Sequence, residues 1–448
     1  MDETKYQLNK RLNTITIQQF DFIFLEMIYP LTKERIVEFD LTNNKSNTLF
    51  EQLFKYIELH SKEWRGIVLN FRYQNRYLPQ KTLKQLSHAM MQMEDLTVLK
   101  FSFGGYYVSK YYAQDDPKAH QEWEKATNGL QKMYDNYKEL LEVFSLIISK
   151  SPNLKCFCLD FQGLSDDSTF MLRELTAINQ SLAKCLQLEE YILNSNHCNI
   201  YNYQSMLETF LNSFEFLQNT RFLRKFVLNI AEWEIDATCF EIFGKVLGEY
   251  LPHEKQQFQI FQLDHSSNQQ VDHLHQTEIK ILISSFQKLF EATRSTLKTF
   301  YLSLVNYQCQ KQELIIFKDI FKHLPKCQNL QKLSLRIQNW SCTSVQVEEE
   351  FYKDLRQLKE ILSLKQFTLS TFQSLLSLQS PFYKHGQQII KLMGQHNLVY
   401  QKNLLQQKLI QKELLLLYRY DILIHLYKLC NPQDFSLENP KFKINLYH

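Results

Sequence analysis

The chain has 448 residues, of which 44% are hydrophobic and 22% charged, and its formal net charge is +3. These values are typical of a globular protein and give no nucleic-acid signature. Only 9 residues are glycine, a share of about 2% where about 7% is usual. Phosphate-binding loops and tight hairpins need glycine for positive φ or close backbone approach, so the composition argues against several large enzyme classes.

The first segment is polar at its start and contains no apolar core of the kind found in secretory signals. We expect residues 1–33 to form an N-terminal helical cap. The 9 cysteines are an odd number without framework spacing, which favours reduced thiols and a cytoplasmic location, with association with the cytoskeleton as a further option. No apolar run approaches the roughly 20 residues of a membrane span, so none is predicted.

From residue 34 to residue 372 a short apolar pattern recurs, L-x-x-[LFIY]-x-[LF]. Its ten instances begin at Ile36, Trp64, Leu96, Leu154, Leu188, Leu223, Phe258, Leu297, Leu330 and Leu364. Successive starts are 28 to 39 residues apart, except for one gap of 58 residues. Alternation inside each instance is typical of a strand, because period 2 sends successive side chains to opposite faces.

Between the instances the apolar period becomes helical. Leu172, Leu175, Ile178 and Leu182 form one such stripe, and steps of three or four residues place them along one side of a helix. The unit is therefore one strand plus one helix, repeated about ten times. Such a unit cannot cover its own apolar faces, and stacking with its neighbours provides a continuous core.

This pattern resembles the leucine-rich repeat, and the helix in every unit is similar to that of the ribonuclease-inhibitor type. The resemblance covers roughly residues 34–370. The Asn expected eight residues after each start is present only at Asn44 and Asn196 among ten positions, so the chain resembles a divergent form of the repeat. The resemblance implies an α/β fold: a curved βα solenoid with parallel short strands, helices on the outer face and a helical C-terminal cap.

In such a solenoid, the fifth residue of each unit points to the concave side. The fifth residues are Asp40, Val68, Lys100, Cys158, Ile192, Val227, Gln262, Tyr301, Ser334 and Thr368. The run Cys158, Ile192 and Val227 predicts an apolar groove for a protein partner, and Tyr301 is a further candidate. The alternative is a mixed surface, or one covered by a neighbouring segment.

The 58-residue gap holds the second candidate site. It contains Tyr106, Tyr107, Tyr111 and Tyr112, and exposed Tyr clusters are favoured at interfaces. We interpret residues 104–140 as an insertion, because insertions in repeat proteins map to loops that often bind partners. A degenerate repeat is the alternative interpretation.

Residues 373–448 carry nine Lys and Arg against four Asp and Glu. Apolar residues spaced four apart, from Leu414 to Leu426, predict a helix with one apolar face. Capping of the last repeat is the preferred interpretation, since an open core face needs a cover. A docking helix, or contact with RNA through the basic charge, is the alternative.

Chemical motifs are scarce. No phosphate-binding, dinucleotide-binding or nucleophile-elbow signature occurs. Cys156 and Cys158 are too few for a zinc site, and His273 with His275 forms only a lone pair in a polar loop. We therefore predict no cofactor and no metal. The sequence favours a non-catalytic scaffold that binds other proteins within a larger assembly, with an RNA-associated subunit as the alternative.

Overall fold

A computed structural model describes the following residues: 6–9, 14–17, 35–40, 47–70, 80–102, 138–160, 169–195, 204–231, 233, 235, 237–251, 257–265, 276–304, 314–337, 354, 357–358, 361, 363–371 and 399–402. The chain divides into two compact units, Met1–Phe258 and Gln259–His448.

Unit 1 contains eight described strands in chain order. They are β1 Tyr6–Asn9, β2 Thr14–Ile17, β3 Ile36–Asp40, β4 Gly66–Asn70, β5 Val98–Ser102, β6 Cys156–Asp160, β7 Glu190–Asn194 and β8 Lys225–Asn229. β1 pairs antiparallel with β2, and from β2 to β8 each strand pairs parallel with the next. The described helices of this unit are α1 Asn47–His60, α2 Gln80–Met90, α3 over residues 138–149, α4 Thr169–Leu182, α5 Gln204–Asn212 and α6 Ala237–Lys245.

Unit 2 continues the same alternation. Its described strands are β9 Ile260–Asp264, β10 Thr299–Ser303, β11 Lys332–Ile337, β12 Gln366–Thr371 and β13 Val399–Lys402, and its described helices are α7 Gln276–Thr293 and α8 Leu314–His323. All neighbouring strands in this unit are parallel. The predicted α/β leucine-rich-repeat-like solenoid, with strands alternating with helices, is confirmed.

The core lies between the sheet and the helices because each strand buries alternate residues. In β5, Leu99 and Phe101 are buried while Lys100 between them is half-exposed. The ring of Phe101 lies 4.4 Å from that of Phe144 on α3. Tyr191 of β7 is 1% exposed, and its ring stacks on Phe226 of β8 at 5.6 Å. Aromatic residues thus take the inward positions at which leucine is usual in such repeats.

In five units a buried residue lies at the corner between a helix and the next strand. The residue three places before the start of the pattern is Ser61, Ser151, Cys185, Thr220 or Cys327, and all are 0–1% exposed. Its carbonyl accepts a hydrogen bond from the backbone N–H of the pattern's first residue, at 3.0–3.2 Å. The Ser151 hydroxyl also accepts the N–H of Leu96 at 3.0 Å, and the Cys185 thiol donates to the Ser151 carbonyl at 3.4 Å. These two bonds join neighbouring units.

The strand register corrects the first repeat. Phe39 pairs with Leu69, and Glu38 pairs with Val68. The pattern therefore begins two residues before Ile36, and the fifth place belongs to Glu38 instead of Asp40. The prediction was wrong here because position 34 holds a glutamate, so the apolar residue that marks a start is missing.

Described strands also lie within both segments that the sequence predicts to be helical caps. Residues 6–9 and 14–17 are strands within the segment expected to be a helical cap. The alternating β-branched run Thr14 to Ile17 favours an extended backbone. At the other end, β13 pairs parallel with β12, so strand pairing continues beyond residue 372. The other residues of the predicted caps lie outside the described part of the chain.

The 58-residue gap adds no strand to the sheet at that place, because β5 pairs directly with β6 in register. The backbone bonds before the strands agree, since the N–H groups of Lys155 and Cys156 both donate to the Thr97 carbonyl, at 2.9 and 3.0 Å. This pairing favours the insertion over a stacked degenerate repeat. Residues 103–137 themselves lie outside the described residues.

Candidate functional site

The predicted groove residues of unit 1 lie side by side on the sheet. Parallel pairing without register shifts places one residue of each strand in a line, which we call the central row. The central row consists of Glu38, Val68, Lys100, Cys158, Ile192 and Val227. All six are half-buried, on the face of the sheet opposite the fully buried residues that pack against the helices.

The central row changes character along its length. Glu38 and Lys100 carry charge in the first strands, whereas Cys158, Ile192 and Val227 are consecutive in the last three. Neighbouring strands are about 4.8 Å apart, so these three side chains form a strip about 10 Å long. Such a strip suits the apolar side chains of a partner, because burying apolar area against it is favourable.

A charged cluster borders this strip. Lys100 Nζ lies 3.8 Å from Glu190 Oε2, and the Cys156 thiol donates to the same oxygen at 3.3 Å. Burial raises the pKa of Cys156 to about 12, with Lys100 opposing this and Glu190 adding to it. Burial lowers the pKa of Lys100, but Cys156 and Glu190 outweigh it and the net pKa shift is upward. At neutral pH the thiol is protonated, so the carboxylate of Glu190 is the charge that faces Lys100.

Glu190 was not among the predicted site residues. It occupies the third place of its unit, two residues before Ile192 in the fifth. Both places project from the same face of the sheet, because side chains two apart on a strand point the same way. The sequence therefore places Glu190 on the same face as Ile192, but its contact with Lys100 follows only from the stacking of β5, β6 and β7.

In unit 2 the corresponding row is polar. It consists of Gln262, Tyr301, Ser334, Thr368 and Gln401. Tyr301 is half-buried; burial and the Asp264 carboxylate raise the pKa of its phenol, which also has hydrogen bonds with Ser303 and Arg336. These polar neighbours hold Tyr301 in place and make its row unlike the apolar strip of unit 1.

The remaining predictions fall elsewhere. Tyr106, Tyr107, Tyr111 and Tyr112 lie outside the described residues, as does all of 373–448 except β13. Within the described ranges, no group of three or more His, Cys, Asp or Glu side chains is arranged to hold a metal ion. Among the described helices, none is both long and apolar enough to cross a membrane.

Comparisons with known proteins leave the family open. No protein-family model matches the chain, and no curated protein sequence is significantly similar to it. A solved structure of a leucine-rich-repeat protein from Leptospira interrogans is similar to it, with 12% sequence identity over 83% of this chain and 91% of that chain, at a TM-score of 0.21. At that TM-score the similarity adds nothing to the fold, which rests on the strand pairing described above.

Proposed function

We propose that the protein is a non-catalytic scaffold that binds another protein through the central row of unit 1. The observation that supports this is the apolar strip of Cys158, Ile192 and Val227, which lies half-buried on a sheet face and is bordered by Lys100 and Glu190. Apolar contact supplies affinity, and the charges at the border select the partner's orientation.

The proposal extends to the setting of the protein. We place it as a subunit of a larger cytoplasmic or cytoskeletal assembly, with a helix in every repeat as in the ribonuclease-inhibitor subtype. The support is general: stacked repeats create extended surfaces that suit binding better than catalysis. If this is right, the native protein elutes from a sizing column well above the mass of 53.8 kDa of the single chain.

A paired substitution tests the strip. Ile192→Thr combined with Val227→Thr keeps the β-branched shape that the strands favour and replaces apolar surface by hydroxyl groups. Purified protein is cross-linked in extract and its partners are quantified by mass spectrometry. We expect capture of the partners of the unaltered protein to fall roughly five- to thirtyfold, since the lost apolar area amounts to about 1–2 kcal/mol.

The matched control is Leu146→Gln on α3, where an apolar side chain is 43% exposed away from the sheet. It should retain the partners, because it removes exposed apolar surface without touching the strip. Thermal unfolding checks that both variants remain folded. Equal partner capture by the double variant and the unaltered protein would rule out the strip as the binding surface.

A further inference from the structure

A second row of side chains follows the amino-terminal ends of strands β3 to β8. The residue before each strand continues the ladder of backbone hydrogen bonds: the Arg65 N–H donates to the Arg35 carbonyl at 2.9 Å, and the Arg224 N–H donates to the Glu189 carbonyl at 2.7 Å. We call this line the edge row. It consists of Arg35, Arg65, Thr97, Lys155, Glu189 and Arg224.

The edge row carries an excess of positive charge. Four of its six members are basic and one is acidic. Glu189 lies between Lys155 and Arg224. Its carboxylate oxygens lie 3.4 and 3.6 Å from their nitrogens, so Glu189 forms ion pairs with both of these cations. Within the described part of the chain, no ion pair involves Arg35 or Arg65.

The excess of positive charge is concentrated at Arg35 and Arg65, because the strand register places them side by side. Arg35 and Arg65 lie on neighbouring strands about 4.8 Å apart, and like charges directly opposite each other destabilise a sheet. Arg65 is exposed and Arg35 is half-buried. A carboxylate placed between them would relieve their repulsion and could accept bidentate hydrogen bonds from the guanidinium groups.

The same edge exposes apolar side chains. Leu186 and Phe222, in the turns that lead into β7 and β8, are 54% and 39% exposed. Leu188 and Leu223, close by in the sequence, are fully buried. The two exposed side chains are therefore not needed to fill the core, and they lie three to four strand spacings from Arg65.

We propose that the edge row binds an acidic protein segment that carries apolar side chains. Arg35 and Arg65 bind its carboxylates, and Leu186 with Phe222 takes up its apolar side chains. From β4 to β7 the distance is about 14 Å, which an extended segment spans with about four residues. The inference rests on the proposed protein-binding function but uses a different surface from the central row.

Protein is favoured over nucleic acid by two features of the edge row. Glu189 lies within it and already pairs with two of the four cations, so a continuous phosphate backbone would meet a carboxylate there. Nucleic-acid affinity depends on many free cations, whereas a peptide can place a neutral or apolar residue opposite Glu189. The exposed leucine and phenylalanine also suit a partner with apolar side chains.

The test uses the full chain and short fluorescein-labelled peptides in which two Glu and a Leu-Phe pair are separated by about four Ser residues, in both orders. Binding is followed by fluorescence anisotropy at low and high salt. We expect Arg35→Glu combined with Arg65→Glu to weaken binding at least about tenfold. The same variant should gain affinity for a probe with Lys in place of Glu.

The matched control is Lys318→Glu combined with Lys322→Glu on α8, which changes the net charge equally at exposed positions. It should leave peptide affinity within about twofold, because these lysines do not belong to the edge row and a general change of net charge is screened by salt. Circular dichroism and thermal unfolding establish that both variants are folded.

Several results would overturn the inference. These are equal weakening in both double variants, the absence of any peptide binding, or binding of a short RNA in place of the peptide with loss in the Arg35 and Arg65 variant. The central-row variants separate this inference from the proposed function. One outcome is that partners are lost in the Ile192 and Val227 variant while the Arg35 and Arg65 variant binds the peptide as tightly as the unaltered protein. In that case only the edge-row inference fails.

Discussion

The clearest test of the packing is removal of one buried hydroxyl, by Tyr191→Phe. The Tyr191 hydroxyl donates to Asn179 Oδ1 at 3.1 Å, and Asn179 Nδ2 donates to Ser213 Oγ at 2.9 Å. Tyr191 and Asn179 are each 1% exposed, so water cannot replace the lost donor. This chain of hydrogen bonds joins α4, β7 and the turn after α5.

The expected loss of unfolding free energy follows from the contacts that remain after the hydroxyl is removed. The phenyl ring keeps its packing against Phe226 and Phe214, at 5.6 Å each, but the Asn179 oxygen is left buried without its donor. Such a group costs about 1–3 kcal/mol. In a unit of this size, that corresponds to a fall in melting temperature of roughly 2–12 °C. Tyr191→Ala also removes the ring and should cost about 3–5 kcal/mol.

The assay is chemical and thermal unfolding, combined with hydrogen exchange of β7 and β8, because a protein with two compact units need not unfold in one step. Tyr250→Phe is the matched control, since Tyr250 is half-buried in the helical turn after α6 and should change stability by less than about 0.5 kcal/mol. If Tyr191→Phe behaves like this control, the hydroxyl does not support the fold and the reasoning is refuted.

Three further predictions follow from single sites. A Cβ on Gly66 would lie 2.9 Å from the backbone oxygen of Val98. Gly66→Ala should therefore lower the unfolding free energy of unit 1 by about 1–3 kcal/mol, measured by urea unfolding. An unchanged urea midpoint would mean that β4 and β5 can move apart to accept the methyl group without cost. Burial raises the pKa of Cys185 from 9.0 to about 12, so above pH 9 the thiol ionises in the unfolded chain but stays protonated in the folded one. The stability that Cys185 contributes is therefore intact below pH 9 and is lost as the pH rises towards 12, by up to about 1.4 kcal/mol per pH unit. Cys185→Ala should therefore show a shallower fall in unfolding free energy between pH 9 and pH 11, and an identical slope would contradict this. Glu190→Gln removes the charge facing Lys100 and should cost less than about 1 kcal/mol, because the pair is partly exposed; a larger loss on calorimetry would mean that the pair is structural.

Much of the fold could be predicted from the sequence because its signals are local. The alternation of Leu99, Lys100 and Phe101 shows which side chains enter the core, and the change to a helical period marks each return. The row of Cys158, Ile192 and Val227 was predicted for the same reason, since equal places in equal units become neighbours when the units stack. The first unit was misaligned because a glutamate occupies the place where an apolar residue marks the others.

The charged features were harder to predict. The edge row occupies the second place of each unit, and Arg65, Lys155 and Arg224 could have been found by comparing that place across units. The contacts of Glu190 with Lys100 and Cys156 could not be found by such a comparison, because they depend on which strands are neighbours. β5 and β6 are separated by the longest gap in the sequence, and nothing local indicates that they pair directly.

The sequence by itself therefore determined the repeating strand and helix, the inward faces and the apolar strip, because alternation and helical period are properties of neighbouring residues. The tertiary structure decided the register, the contact of Lys100 with Glu190 and the pairing of Glu189 with Lys155 and Arg224. Ion pairs and hydrogen bonds depend on distances of a few ångströms between residues far apart in the chain. Only the stacking of the strands fixes those distances.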